Sequence, residues 1–260
     1  MEGNKMPVAK KFVLWDWEDM YEYSRVVAGK IRSDKFRPDL IIAIARGGYV
    51  HARNLCDLLS VTDLTSIKVD HWGITASKDM QGARLRHPFT ANLRGKNVLL
   101  VDDITDTGES FKTALPALKA LEPAELKTAT LFTLETSKFT PDYYAAKREW
   151  AWMIFPWNFT EDMTFILKEL FDKDPAPKTT AEVAQKLAKN NGLHVPKPKL
   201  NDVLNELAAR GEIAEAIDGH NRHAWFTAAS KRGGIKNGVG KASAGRAKKV
   251  PIPGNRRKPR

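Results

Sequence analysis

The chain has little cysteine, no long apolar run and no acid near its C-terminal end, and each shortage excludes something. Cys56 is the one cysteine in 260 residues. No intramolecular disulfide can form, which fits a reducing, cytoplasmic setting. Its place on the apolar side of "VHARNLCDLL" predicts plain helix packing. No stretch reaches the roughly 18–20 apolar residues of a membrane-spanning helix. The opening "MEGNKMPVAKKF" is charged and lacks the apolar centre of a signal peptide, so no membrane partner is expected. Residues 229–260 hold eleven Lys/Arg and no Asp/Glu. They account for the whole net charge of +11, because the remaining 31 basic residues are matched by 31 acidic ones. Composition therefore predicts a neutral globular part followed by a disordered basic tail. Such a tail could contact nucleic acid phosphates without regard to sequence. It lacks aromatic residues, which argues against base stacking.

What is there first reads as strand–loop–helix alternation, the pattern of a mostly parallel α/β sheet. "DWEDMYEYSRVVAGKIRSD" predicts a helix capped by Asp16, with Met20, Tyr23, Val27 and Ile31 at helical spacing. "DLIIAIA" (39–45) is the short, fully apolar run of a strand buried on both faces. Arg46-Gly47-Gly48 follows it, then a helix to about Leu59 and a strand at 64–69. Residues 70–92 show no periodicity and read as a long mobile loop. The strand "NVLLVDD", a helix from about Gly108 to Leu121 and the strand "LKTATLFTL" (126–134) complete the pattern. Pro116 should kink that helix or shorten it.

The texture changes after Asp172. "DKDPAPKT" reads as a linker, and "TTAEVAQKLAKNNG" predicts a helix capped by Thr179 or Thr180 and stopped by Gly192. "KPKLNDVLNELAARGEI" predicts a second amphipathic helix ending at Gly211, and Asp218-Gly219 predicts a hairpin turn. Two helices and a hairpin form a winged-helix pattern, with "EDMTFILKELF" (161–171) available as its first helix. The expected units are residues 1–172, a small α+β unit at 173–228 and the tail at 229–260. Residues 175–228 sum to only +1, which is poor for a stand-alone DNA reader.

The chemistry concentrates in "VLLVDDITDTGES" (98–110). A strand leading through a glycine-containing turn into a helix N-terminus is a ready phosphate site, since backbone N–H groups and the helix dipole converge there. Thr105, Thr107 and Ser110 add hydroxyl donors. Asp102 and Asp103 would repel a phosphate, so they should face sugar hydroxyls or a metal such as Mg²⁺. A ribose 5-phosphate meets both demands. The same residues could also cap an ordinary α/β turn.

"VLLVDDITDTGES" resembles the phosphoribosyl-pyrophosphate (PRPP) signature of type I phosphoribosyltransferases, and "IIAIARGGYVHARNL" resembles their pyrophosphate loop. The resemblance, which spans roughly residues 10–172, implies a twisted, mostly parallel sheet flanked by helices with a small hood. It implies PRPP contacts from Arg46, Gly47, Gly48 and the segment Thr105, Asp106, Thr107, Gly108, Glu109 and Ser110. Asp102 and Asp103 would hold ribose hydroxyls or the waters of Mg²⁺, and Asp106 would act near the purine N7 or as general base. Where relatives often carry a small residue after Asp-Thr-Gly, this chain has Glu109. "AWMIFPWNF" (151–159) resembles the base hood of xanthine–guanine and hypoxanthine–guanine phosphoribosyltransferases, with Trp152 as the stacking residue and Lys138 as donor to a purine 6-oxo group. The resemblance implies a homo-oligomeric purine salvage enzyme, with residues 70–92 as its lid. The competing expectation is a PRPP- or nucleotide-sensing DNA-binding regulator built on the same domain.

Overall fold

A computed structural model describes residues 11–72, 82–87, 89–217 and 223–227. The chain opens with β1 (Phe12–Leu14) and α1 (Trp17–Ser33). Asp16 caps α1 as expected: its carboxylate takes the Asp19 N–H, and the Asp19 carboxylate takes the Asp16 N–H in return. Next come β2 (Leu40–Ala45), α2 (Gly48–Leu59), β3 (Leu64–Trp72), β4 (Gly82–Leu85), β5 (Asn97–Val101) and β6 (Ile104–Thr105). The chain goes on through α3 (Glu109–Lys119), β7 (Glu125–Leu134), β8 (Tyr143–Arg148), β9 (Trp152–Ile154) and α4 (Phe159–Lys173). Seven strands form the central sheet in the order β4-β3-β2-β5-β7-β6, with β8 also paired to β7. All its pairings are parallel except β3 with β4.

The two faces of the sheet are covered by different helices. α1 and α2 bury Val27, Ile31, Ala52 and Leu55 against Ile41, Ala43, Leu99 and Val101. α3 covers the opposite face, with Phe111, Ala114 and Leu118 against Ile42, Ile44, Ile67, Val69 and Leu100. This two-sided burial is why the strands read as unbroken apolar runs. Cys56 is a buried free thiol in the α2 layer, as its sequence position predicts.

One expectation needs correction, one is borne out, and three strands were not expected. Residues 70–92 are not a loop throughout: β3 runs on to Trp72, and β4 pairs with it in antiparallel register, Trp72 opposite Gly82. Residues 73–81 and 88, ten of the 23 in the expected lid, lie outside the described residues. The Gly108–Leu121 helix is shorter than drawn, Glu109–Lys119 with Pro116 inside it. Lastly, β8 and the β1–β9 pair carry no clear sequence signal. β8 has a half-buried pattern, and β1 and β9 are three residues each, paired in parallel between distant parts of the chain.

Beyond α4 lie α5 (Thr180–Asn191), α6 (Lys197–Ala209), β10 (Ile213–Ile217) and β11 (His223–Thr227). Thr179 caps α5 in a reciprocal pair with Glu182, and Gly192 closes it at φ 66°. β10 and β11 pair antiparallel, while the Asp218-Gly219 turn and the basic tail lie outside the described residues. These elements share one apolar core with α4. Ile166, Leu167 and Phe171 of α4 pack with Val183, Leu187, Leu204, Leu207 and Trp225. Trp152 and Ile154 of β9 belong to the same cluster, so the core continues from the hood into the C-terminal elements.

Candidate active site

The site forms where the sheet splits. β2 pairs with β5 as far as Ala43 opposite Val101, and its chain then turns away into Arg46-Gly47. β5 continues along β7 without a change of register: Asp102 N–H bonds Ala129 O at 3.0 Å, Asp103 O takes the Leu131 N–H at 3.0 Å, and Ile104 lies opposite Phe132. The paired acids therefore sit in the short break between β5 and β6, still in register with β7 but with β2 gone from the other side. The opening is the crevice at the carboxyl ends of parallel strands where α/β sheets bind ligands. A cavity of about 520 Å³ occupies it.

Two loops from opposite faces close over this crevice. On the α2 side the Ala45–Arg46 peptide is cis. A Cβ on Gly47 would lie 2.3 Å from Asp103 Oδ2, and one on Gly48 would lie 2.4 Å from the Val101 carbonyl oxygen. Gly48 lets the loop approach β5 and Gly47 lets it pass the Asp103 carboxylate, reasons independent of any ligand. On the α3 side, Thr105 to Ser110 lead into the helix, with Gly108 as N-cap at φ 84° and no side-chain cap. Amide donors of an uncapped first turn suit an anion. Thr105 is 1% exposed, and its hydroxyl is one of the buried polar atoms without a protein partner among the described residues. Such an orphaned hydroxyl at a cavity wall is what a polar ligand would satisfy. Glu109 is drawn aside by Lys112 at 2.9 Å.

Burial governs the acids. Asp102 and Asp103 are 7% and 6% exposed. Loss of hydration pushes Asp102 well above the ordinary carboxylate range and the Asp103 charge adds to this, while Lys68 works against it. Burial also raises Asp103, opposed by the Trp157 indole N–H at 3.1 Å and by the Ile104 amide. Asp106 is raised by its surroundings and pulled back by Thr136. Among the described residues, the cavity wall carries two cations, Arg46 and Lys68, against four carboxylates, Asp102, Asp103, Asp106 and Glu109.

The structure gathers most of the expected residues and leaves three off the cavity wall. Arg46, Gly47, Asp102, Asp103 and Thr105 through Ser110 line the cavity, whereas Gly48 lies behind it against β5. Lys138 is exposed and is not a lining residue. Trp152 is not one either: its indole N–H bonds Asp162 at 3.0 Å, and its ring stacks on Phe165 of α4 at 5.5 Å. Asp162 is half-buried and raised to about 6, chiefly by desolvation, with the Trp152 hydrogen bond working against the rise. Sequence reading missed Lys68, Trp157 and Asn158 at the site. Lys68 had a usable signal, a lysine between the apolar Ile67 and Val69 where the parallel part of β3 ends. The start of α4 also reaches the site, since Glu161 pairs with Arg46 at 2.6 Å.

Sheet, loops and paired acids form a crevice whose lining suits a phosphorylated sugar. Comparison with known proteins narrows the class. The phosphoribosyl transferase domain model matches residues 16–164, and the chain belongs to that family, as a type I phosphoribosyltransferase. It is 25% identical over 144 residues to the xanthine-guanine phosphoribosyltransferase of Idiomarina loihiensis, covering 55% of this chain and 84% of that one. It is 23% identical over 160 residues to the Gluconobacter oxydans protein of the same name, covering 61% and 91%. The crystal structure of a purine phosphoribosyltransferase from Pyrococcus horikoshii Ot3 superimposes with a TM-score of 0.50 at 30% identity, over 56% of this chain and 93% of that one.

Proposed function

We propose that the chain transfers the 5-phosphoribosyl group of PRPP to N9 of a 6-oxopurine, guanine, xanthine or hypoxanthine, releasing pyrophosphate. The observation that carries this is the pair of buried acids between two phosphate-suited loops in one cavity. The 5-phosphate fits the turn from Thr105 to Ser110, the ribose hydroxyls fit Asp102 and Asp103, and the diphosphate fits Arg46-Gly47. The C1′–oxygen bond to diphosphate breaks as the N9–C1′ bond forms on the other face, and the proton of the purine leaves. Charge develops on the ribose ring and on the leaving group, so positioning and electrostatics supply most of the catalysis. Asp106 is the candidate to accept or hold the purine proton.

Four wall carboxylates against two cations, all with oxygen donors, suit a hard divalent cation accompanying the substrate. Asp102 and Asp103 would hold Mg²⁺ indirectly, through ribose hydroxyls or water. When bound it would neutralise charge on the departing diphosphate. The family resemblance gives the 6-oxo contact to Lys138 and the stacking contact to Trp152. Neither lines the cavity, so on this reading both turn toward the base as it binds.

Pyrophosphate release with PRPP, Mg²⁺ and a panel of nucleobases tests the proposal. Turnover with at least one of the three 6-oxopurines is expected, and none with any of them would overturn it. Asp106→Asn should lower kcat by roughly a hundredfold or more while PRPP affinity stays within a few-fold. Equal loss in both would remove Asp106 from that role.

A further inference from the structure

Lys68 is the cation on the cavity wall that no motif accounts for. It lies on β3, directly beside Ala45 in the parallel register. Its neighbours Ile67 and Val69 are buried in the α3 layer. Side chains alternate along a strand, so Lys68 leaves on the opposite face, the side of α2 and the Arg46-Gly47 loop. The contacts agree, since its Nζ is 3.4 Å from the Ala45 carbonyl oxygen. Its carboxylate neighbour Asp70 is 3.9 Å away and lies closer to Arg86, at 3.4 Å. The side chain is about one-third exposed. Arg46, by contrast, is 68% exposed and already held by Glu161.

We propose that Lys68 binds the diphosphate end of the phosphoribosyl donor and stabilises its charge as it leaves; this rests on the phosphoribosyl-transfer reading above. PRPP carries its phosphate and its diphosphate on opposite sides of the ribose. With the 5-phosphate in the turn on the α3 side and the ribose over Asp102–Asp103, the diphosphate falls on the α2 side. Arg46 and Lys68 are the cations of that wall. A lysine there supplies a compact point charge able to follow the oxygens as the C1′ bond lengthens. Its hydrogen bond to Ala45 O could instead be a mere staple for the loop, and the test must separate the two.

Calorimetric titration with inorganic pyrophosphate and Mg²⁺, and separately with guanosine monophosphate, reads the difference. Lys68→Met should weaken pyrophosphate by roughly tenfold or more, the scale of one charge-assisted hydrogen bond, and leave the monophosphate within about twofold. Lys68→Arg should recover most of the loss. Lys68→Gln retains a donor for Ala45 O without the charge, and should behave like Lys68→Met. In turnover, KM for PRPP should rise while KM for the purine stays. Equal weakening of both ligands, a Gln variant that binds like wild type, or an unchanged pyrophosphate affinity would each overturn the assignment. Wild type that binds pyrophosphate yet turns over no purine would defeat the proposed function and leave Lys68 in place.

Discussion

Two helical glycines allow one substitution to be predicted with opposite signs. Gly29 lies inside α1, and a Cβ built there meets nothing within 4 Å. Replacing it by alanine removes unfolded-chain freedom and should stabilise by about 0.5–1 kcal/mol. Gly48 opens α2, and its Cβ would meet the Val101 carbonyl oxygen at 2.4 Å and Asp102 Cα at 3.0 Å. Those atoms are backbone of a central strand, so helix and strand must separate. Overpacking costs about 1–3 kcal/mol, which outweighs the propensity gain. At about 2–4 °C per kcal/mol for a chain of this size, Gly29→Ala should melt a few degrees higher and Gly48→Ala several degrees lower. Gly48→Ala should also raise KM for PRPP, because the strand it displaces carries Asp102. Thermal melts of both variants beside wild type decide the matter. A Gly48→Ala protein as stable as wild type would refute the steric reasoning.

Other perturbations follow from the same contacts. Asp162 is raised in the folded state to about 6, so the native protein binds that proton more tightly than the unfolded chain. Its contribution should make wild type more stable as pH falls from about 6 to 4, and denaturation of Asp162→Asn at both pH values should lack that component. Leu204 is fully buried in the cluster shared with α4. Leu204→Ala should cost about 2–5 kcal/mol, and a loss below about 1 kcal/mol by denaturant titration would show that the site collapses without penalty. Glu161→Gln breaks an exposed pair and should change stability by less than about 1 kcal/mol. It should lower KM for PRPP by freeing Arg46, and a raised KM would mean that Glu161 orients Arg46 for the substrate.

Much of the fold was legible because its signals are local. The α1 capping box, the unbroken apolar runs of β2 and β5 and the closing glycine of α5 each act within a few residues. The turn from Thr105 to Ser110 and the Arg46 loop are local signals of the same kind. What escaped depends on distant partners. β1 and β9 exist only through each other. The place of Trp152 is decided by Asp162 and Phe165 of α4, a helix whose periodicity says that it is amphipathic but not what it covers. Gly47 and Gly48 were expected to contact PRPP, whereas a Cβ on Gly48 would first meet β5 and one on Gly47 the Asp103 carboxylate. That distinction needs the third dimension.

The β1–β9 pair also bears on how the molecule is made. Phe12 must find Trp152, and Leu14 must find Ile154, about 140 residues further along the chain. At about 5–20 residues per second, a ribosome takes roughly 7–28 s to cover that distance. Throughout that interval Phe12, Val13 and Leu14 lack the strand they pair with in the finished molecule. The β1–β9 pair can therefore form only after every strand of the central sheet has been made.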